Sequence, residues 1–410
     1  MNRSTRAVSS TAPRGAKSRP GFAMFMALGA MVIIAVLVAG SSYITLQETR
    51  LGQNQLIQSR AFAAAEYGLN KIQADWDKTP NLGMGNGDTY TMNYTLAGQG
   101  TCQVRMTRLN NETFSLVSTG TALAGDAVST NRTAVKRVGA LLRLRIPTIR
   151  ANGAVTTNGT ISVKGASQVI GNNVNPTGWT GCPTGANKPG LVVPPGVTPD
   201  IQKEDNVITT PPQQDWVSDP LAADDNTYVR FGDETWTTLE AGANHRFYGT
   251  VPDPAPATVV GDATTCNKAL NTNWGEPWRT VGAVTACQNY FPIIFITCNP
   301  RPDPITHLPA CTIAFNQGRG QGILLIDGDV KMNGRFEWFG LIIVSGDIGK
   351  GNGIANISGG VMARNADIDV AGSEILGNIT FQYSACSIEK AMLGSASVVQ
   401  ALQRSFTELY

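Results

Sequence analysis

A chain of 410 residues and 43.4 kDa exceeds what one small domain needs, so two or three folded units are expected. With 42% hydrophobic and 15% charged residues it can bury a large core, which excludes a mainly disordered chain, and 44 glycines with 22 prolines argue against a mostly helical one. Net charge is +2, but Arg3, Arg6, Arg14, Lys17 and Arg19 all precede the first acid; without them 27 basic residues face 30 acidic ones, and so mildly acidic a body with few aromatics is not expected to bind nucleic acid.

The first element is apolar. Phe22 to Gly40 (FAMFMALGAMVIIAVLVAG) carries no charge, and none appears until Glu48. As a helix rising about 1.5 Å per residue, such a run spans a hydrocarbon core roughly 30 Å thick. The basic residues before it predict a cytoplasmic N-terminus and export of everything after about residue 45. Ser41-Ser42-Tyr43 offers little of the small-residue site at which a secretory signal is removed, so the span is expected to be retained. No proline interrupts Ile44 to Trp76, where Phe62, Ala65, Leu69, Ile72 and Trp76 recur at steps of three and four. That is one apolar helix face, with Glu66, Asn70, Lys71 and Asp75 off it, and it should pack on the chain's own soluble part. Thr79-Pro80-Asn81-Leu82-Gly83 then ends the pattern.

These residues resemble the type IV pilin superfamily, and within it the PilX-type minor pilins. The likeness rests on a basic leader ending in Arg19-Pro20-Gly21 before Phe22, on Thr45-Leu46-Gln47-Glu48, and on Ala61-Phe62-Ala63-Ala64-Ala65-Glu66-Tyr67-Gly68-Leu69. It covers residues 15 to 75 closely and the remainder loosely. The resemblance implies that a prepilin peptidase cuts between Gly21 and Phe22, and that the family-motif positions are Glu48, Ala61, Phe62, Ala65, Glu66, Gly68 and Leu69. It also implies an inner-membrane anchor with a periplasmic or extracellular head, and other pilins and pilus assembly components as partners. One position departs from the major pilins. Their fifth mature residue is a glutamate, whereas counting from Phe22 gives Met26 here. PilX-type proteins generally lack that acid too, but packing into the body of a pilus is put in doubt.

Residues 79 to 149 predict a small antiparallel head. Thr89 to Leu96, Gln103 to Leu109, Phe114 to Gly120 and Val138 to Leu144 read as four successive strands, with Asn86-Gly87 and Asn110-Asn111 as turns. The C-terminal third repeats. Gly322-Ile323-Leu324-Leu325-Ile326-Asp327-Gly328-Asp329 and Gly340-Leu341-Ile342-Ile343-Val344-Ser345-Gly346-Asp347 are followed by weaker copies beginning at Gly360 and Gly377. Short apolar strands at this period, each too small to bury itself, predict a parallel β-helix-like solenoid over 318–387. Residues 151 to 175 read as earlier coils of the same stack. The Pro-, Asp- and Thr-rich segment 176 to 317 reads as an insertion, so 150–317 holds first coils plus insertion. A helix over 388–410 would cap the last coil. The fold class expected is α+β, mostly β.

Seven cysteines form no C-x-x-C pair, and with His245 and His307 alone a zinc cluster is not expected. For an exported chain the simplest bridges are Cys266 with Cys287 and Cys298 with Cys311; buried thiols are the alternative. Asp327, Asp329, Asp347, Asp367 and Asp369 recur near one edge, where carboxylates would serve a glycosidase or bind calcium. An Asp beside a Gly just after a strand also satisfies turn amides, and its repetition favours that structural reading. No catalytic residue, metal or cofactor is expected. Three functional classes are weighed: a structural pilus protein, an anchored adhesin holding a surface or carbohydrate ligand, and a polysaccharide-degrading enzyme.

Overall fold

The computed structural model describes residues 20–76, 84–123, 133–179, 181–182, 185–210, 213–276, 285–301, 311–349, 353–364, 373–375, 378–400 and 407–409. The chain is α+β and mostly β. It begins with one helix, α1 (Pro20–Ala74), whose residues Phe22 to Leu56 are exposed throughout. The expected leader before Pro20, and the expected break at 79–83, lie outside the described residues.

From Ile57 onward α1 turns a face onto an antiparallel sheet of β1 (Thr89–Leu96), β2 (Gly100–Arg108), β3 (Thr113–Leu123) and β4 (Thr133–Arg145). Strands β2 and β3 alternate inward and outward, which puts Val104, Met106, Phe114 and Leu116 against Ala65, Leu69 and Ile72 of the helix. Trp76 closes the end of this core, edge-on to Phe114 at 5.0 Å. Asp75, placed off the apolar stripe by its spacing, is nevertheless buried and pairs with Lys71 at 3.1 Å. The Asn110 carboxamide accepts from the amides of Glu112 and Thr113, which makes the β2–β3 turn.

Beyond β4 the chain builds a stack of parallel strands with three ladders. The members are β5 (Val155–Thr157), β6 (Ile161–Val163), β7 (Gln168–Ile170), β8 (Leu191–Val193), β9 (Asp200–Ile201), β10 (Val207–Ile208) and β11 (Trp216–Ser218). After a short helix, α2 (Trp236–Ala241), come β12 (His245–Tyr248), β13 (Ile293–Thr297), β14 (Thr312–Asp327), β15 (Asp329–Val344), β16 (Ile354–Ala363), β17 (Ser373–Ile375) and β18 (Asn378–Tyr383). The first ladder runs His245, Ile294, Leu324, Ile342, Val361, Val155, Leu191, Trp216. The second runs Gly320, Trp338, Ile357, Phe381, Val169, Val207. Along the third lie Ile313, Val330 and Ile348, and separately Ile375, Val163 and Ile201.

The order of these rungs is not the order of the chain. It enters the stack in the middle at β5, moves outward through β8 to β11, and then crosses to the opposite end at β12. From there β13, β14, β15 and β16 wind back until Val361 meets Val155. Segment 176–317, expected as an insertion, thus supplies four rungs of the first ladder: β8, β11, β12 and β13.

Glycines mark one corner. Gly322, Gly340 and Gly359 lie side by side with φ of 114°, 138° and 151°, a conformation that residues with a Cβ rarely adopt. The third member is Gly359 and not Gly360, so the repeat read from the sequence is displaced there by one residue; Gly377 lies outside the described residues. Beyond this corner Ile323 to Ile326 and Leu341 to Val344 are completely buried, as parallel strands covered on both faces should be. One cover is α3 (Ala385–Gly394), whose Ala391 and Ile388 come against Gly340 and Gly360.

The helix expected over 388–410 ends at Gly394. The chain instead returns to the first sheet as β19 (Ser397–Gln400) and β20 (Thr407–Leu409), both antiparallel to β4. The stack is therefore inserted between β4 and the strands that complete its sheet.

Candidate functional site

The first candidate is α1 itself. Its N-terminal part, which holds Phe22, Met26 and Glu48, touches nothing else among the described residues and is long and apolar enough to cross a membrane. The Gly21–Phe22 bond lies in its first turns. The remaining motif residues fall in the other half, where small side chains let helix and sheet approach closely. Ala61, Ala64, Ala65 and Gly68 are buried, Leu69 is buried beside them, and Phe62 and Glu66 are half-buried on the flank. A methyl added to Gly68 would stand 2.8 Å from both Cys102 Sγ and Val104 Cγ2. One added to Gly120 on β3 would overlap the Ala61 carbonyl and the Ala65 amide nitrogen. The segment that carries the family resemblance is thus a packing seam between helix and sheet.

The second candidate is a cleft of about 790 Å³ where α2 meets the ends of the first-ladder strands. Thr235 caps α2 by accepting from the Thr238 amide, which places Trp236 at the cleft with its ring half-buried. At the other end of α2, the Arg246 guanidinium donates to the carbonyls of Glu240 (2.6 Å) and Ala241 (2.9 Å), where positive charge suits the helix terminus. Arg301 grips Glu240 with both terminal nitrogens, at 2.9 and 3.1 Å, and gives Nε to Asp327 at 2.6 Å. The buried Asp327 carboxylate also accepts from Ser345 at 3.1 Å and Thr297 at 3.3 Å. Arg364 is paired with Asp225 at 3.1 and 3.3 Å. Arg230 and Arg246 line the same cleft, and no carboxylate pairs with either among the described residues.

None of these residues except Asp327 stood out in the sequence. Arg246 and Arg364 line one cleft because His245 and Val361 belong to one ladder, four rungs apart, and residues so distant in the chain carry no local signal of that.

The acidic edge resolves into separate tasks. Asp327 holds Arg301, while Asp329 accepts from the Asp347 amide of the next turn at 2.9 Å; Asp367 and Asp369 lie outside the described residues. No group of three His, Cys, Asp or Glu side chains placed to hold a metal occurs among the described residues. Cys266 is joined to Cys287 and Cys298 to Cys311. A third bridge, Cys182–Cys386, ties a loop of the first coils to α3; with partners 204 residues apart it had no signal in the spacing. Cys102 is a buried free thiol in the seam. His245 is buried on the terminal rung, its Nε2 3.1 Å from the Asn273 carbonyl and 3.2 Å from the Tyr290 hydroxyl. Burial lowers its pKa below the ordinary 6.5, with the Asn273 carbonyl opposing in part. His307 lies outside the described residues.

No protein-family model matches the chain, and no curated protein sequence matches it significantly. One solved structure is similar. The competence-associated pilin ComZ from Thermus thermophilus is 10% identical, over 86% of this chain and 96% of that one, at a TM-score of 0.21. A likeness at that level bears on neither fold nor function.

Proposed function

We propose that the chain is a non-catalytic, membrane-anchored minor pilin-like protein of the type IV pilus machinery, close to the PilX type. The observation that carries this reading is the division of α1: an exposed apolar half of membrane-spanning length runs without a break into a half that docks through Ala61, Ala65 and Gly68 on an antiparallel sheet. In this reading the N-terminus is cytoplasmic, the anchor sits in the inner membrane, and the head faces the periplasm or the outside. Three disulfides in the head fit an oxidising compartment. The parallel stack would be a β-helical enlargement of the head that serves pilus assembly or adhesion. Other pilins and the prepilin peptidase are the partners implied.

Mass spectrometry of membrane-extracted protein tests the assignment. Phe22 is expected at the mature N-terminus, and Gly21→Val should block cleavage while leaving the protein in the membrane. A terminus at Met1 in a strain with an active prepilin peptidase would refute it.

A second reading, an anchored adhesin that holds a carbohydrate, is favoured by the arginine-lined cleft beside Trp236.

A further inference from the structure

We propose that the cleft between α2 and the ends of the first ladder binds a carboxylated saccharide, a segment of a polymer containing uronic acids. The argument starts from charge. Glu240 and Asp327 are both engaged by Arg301, and Asp225 is engaged by Arg364. What the cleft still offers is cationic: Arg230 and Arg246, whose planar guanidinium forks match the geometry of a carboxylate. Arg246 is already oriented, because its hydrogen bonds to the α2 carbonyls run through one terminal nitrogen and leave its other donors for a ligand. Arg301 is fixed in the same way, held by two carboxylates and lying 5.2 Å over the Phe295 ring.

The rest of the lining suits a sugar. Trp236 gives a flat apolar surface with a polar edge, the Thr237 hydroxyl can exchange hydrogen bonds with a polyol, and those of Thr235 and Ser345, which give their own protons to Thr238 and Asp327, can accept from one. A volume of about 790 Å³ falls in the range of small-ligand sites.

Two other anionic polymers fit less well. A single nucleic-acid strand needs several aromatic platforms along a basic groove, and this cleft has one half-exposed indole in a body that is acidic apart from its leader. An extended acidic peptide gains most of its affinity by pairing with a free strand edge. The cleft is lined mainly by the ends of β14, β15 and β16, which are paired on both sides, and the one open edge at it among the described residues is that of the four-residue terminal strand β12. The inference rests on the cleft alone, so leader processing can fail while this binding holds, and the reverse.

Calorimetry on the full chain in detergent micelles tests it, with short oligogalacturonate and hyaluronan oligomers as probes. A neutral malto-oligosaccharide of equal length, oligothymidylate and polyglutamate are the comparisons. At least one uronate probe should bind at least about tenfold more tightly than the neutral one, and should weaken as sodium chloride rises. Arg230→Gln and Arg246→Gln should each reduce that affinity at least about tenfold, the loss expected for one charge-assisted hydrogen bond, with unchanged near-UV circular dichroism. Arg105→Gln, exposed on β2 and away from the cleft, should change nothing. Failure of both uronates to bind, equal binding of the neutral oligomer, unaltered affinity in both variants, or tighter binding of oligothymidylate or polyglutamate would each overturn the proposal.

Discussion

Replacing Ile343 with alanine probes whether the stack stands as a chain of neighbouring rungs. Ile343 is completely buried, with Leu325 beside it on one side and Met362 on the other. The substitution deletes an ethyl and a methyl group, about 0.8 kcal/mol for each buried carbon, or roughly 2.4 kcal/mol of transfer free energy. The cavity that remains where the surroundings collapse only partly adds on the order of 1–2 kcal/mol, so the total should be near 4 kcal/mol, within the range of about 2–5 kcal/mol for such truncations. Stacked strands contact mainly their neighbours, so the loss should be local at first. Hydrogen exchange on the full chain in micelles should show faster exchange in β14, β15 and β16. It should spread through the Val361–Val155 pairing to β5 and leave β2 and β3 at their native rates. Uniform acceleration that includes β2 and β3 would mean one cooperative core, and the rung-by-rung account would have to be given up.

Gly120→Val should drive side-chain atoms into the backbone of α1 at Ala61 and Ala65, at a cost of about 1–3 kcal/mol or more. Faster exchange in α1 beyond Ile57 and in β3, with the stack unaffected, is the expected result; native stability would show that the seam is looser than described. His245 gives a pH dependence. Because burial depresses its folded pKa below 6.5, the unfolded chain binds more protons in the window beneath 6.5, so its contribution is complete above that pH and is lost as pH falls towards the folded pKa. Urea midpoints measured at pH 7.5 and pH 5 should differ in the wild type and converge in His245→Gln; an unchanged pH difference would show that other groups cause it.

Much of the helix and first sheet is legible because local patterns specify them. Period-two alternation in β2 and β3 matches their burial, and Ala65, Leu69 and Ile72 at helical spacing meet that sheet. The stack is less legible for a physical reason. Its strongest marker, the glycine corner, needs a positive φ at Gly322, Gly340 and Gly359, but Gly359-Gly360 offers two candidates and only pairing distinguishes them. Rungs as short as Leu191-Val192-Val193 and Trp216-Val217-Ser218 lie among prolines and lack that glycine, so they read as loop until a neighbouring rung is known. The meeting of Val361 with Val155 is a pairing across about half the chain, which no window of sequence contains. At the C-terminus, Ser397–Gln400 continues a segment of helical composition, and only the edge of β4 makes it a strand. The cleft depends on those same distant pairings, so Arg230 and Arg246 could not be singled out in advance.

The stack's two connections to the sheet have a mechanical consequence. Arg145, the last residue of β4, is the register partner of Ser397, the first of β19, so the chain leaves and re-enters the sheet at adjacent points. A pull on the stack, if its cleft is held while the anchor is drawn back, reaches these two strands together and in the same direction. It does not draw the stack's own ends apart, so the rungs are not unwound. The load passes instead to the β3–β4 ladder, whose eleven register pairs from Thr113–Arg143 to Leu123–Thr133 are strained in parallel as a shear. Breaking a ladder in shear requires many hydrogen bonds to fail at once, whereas peeling breaks them one at a time. On such a path the small sheet, rather than the winding of the stack, takes the load.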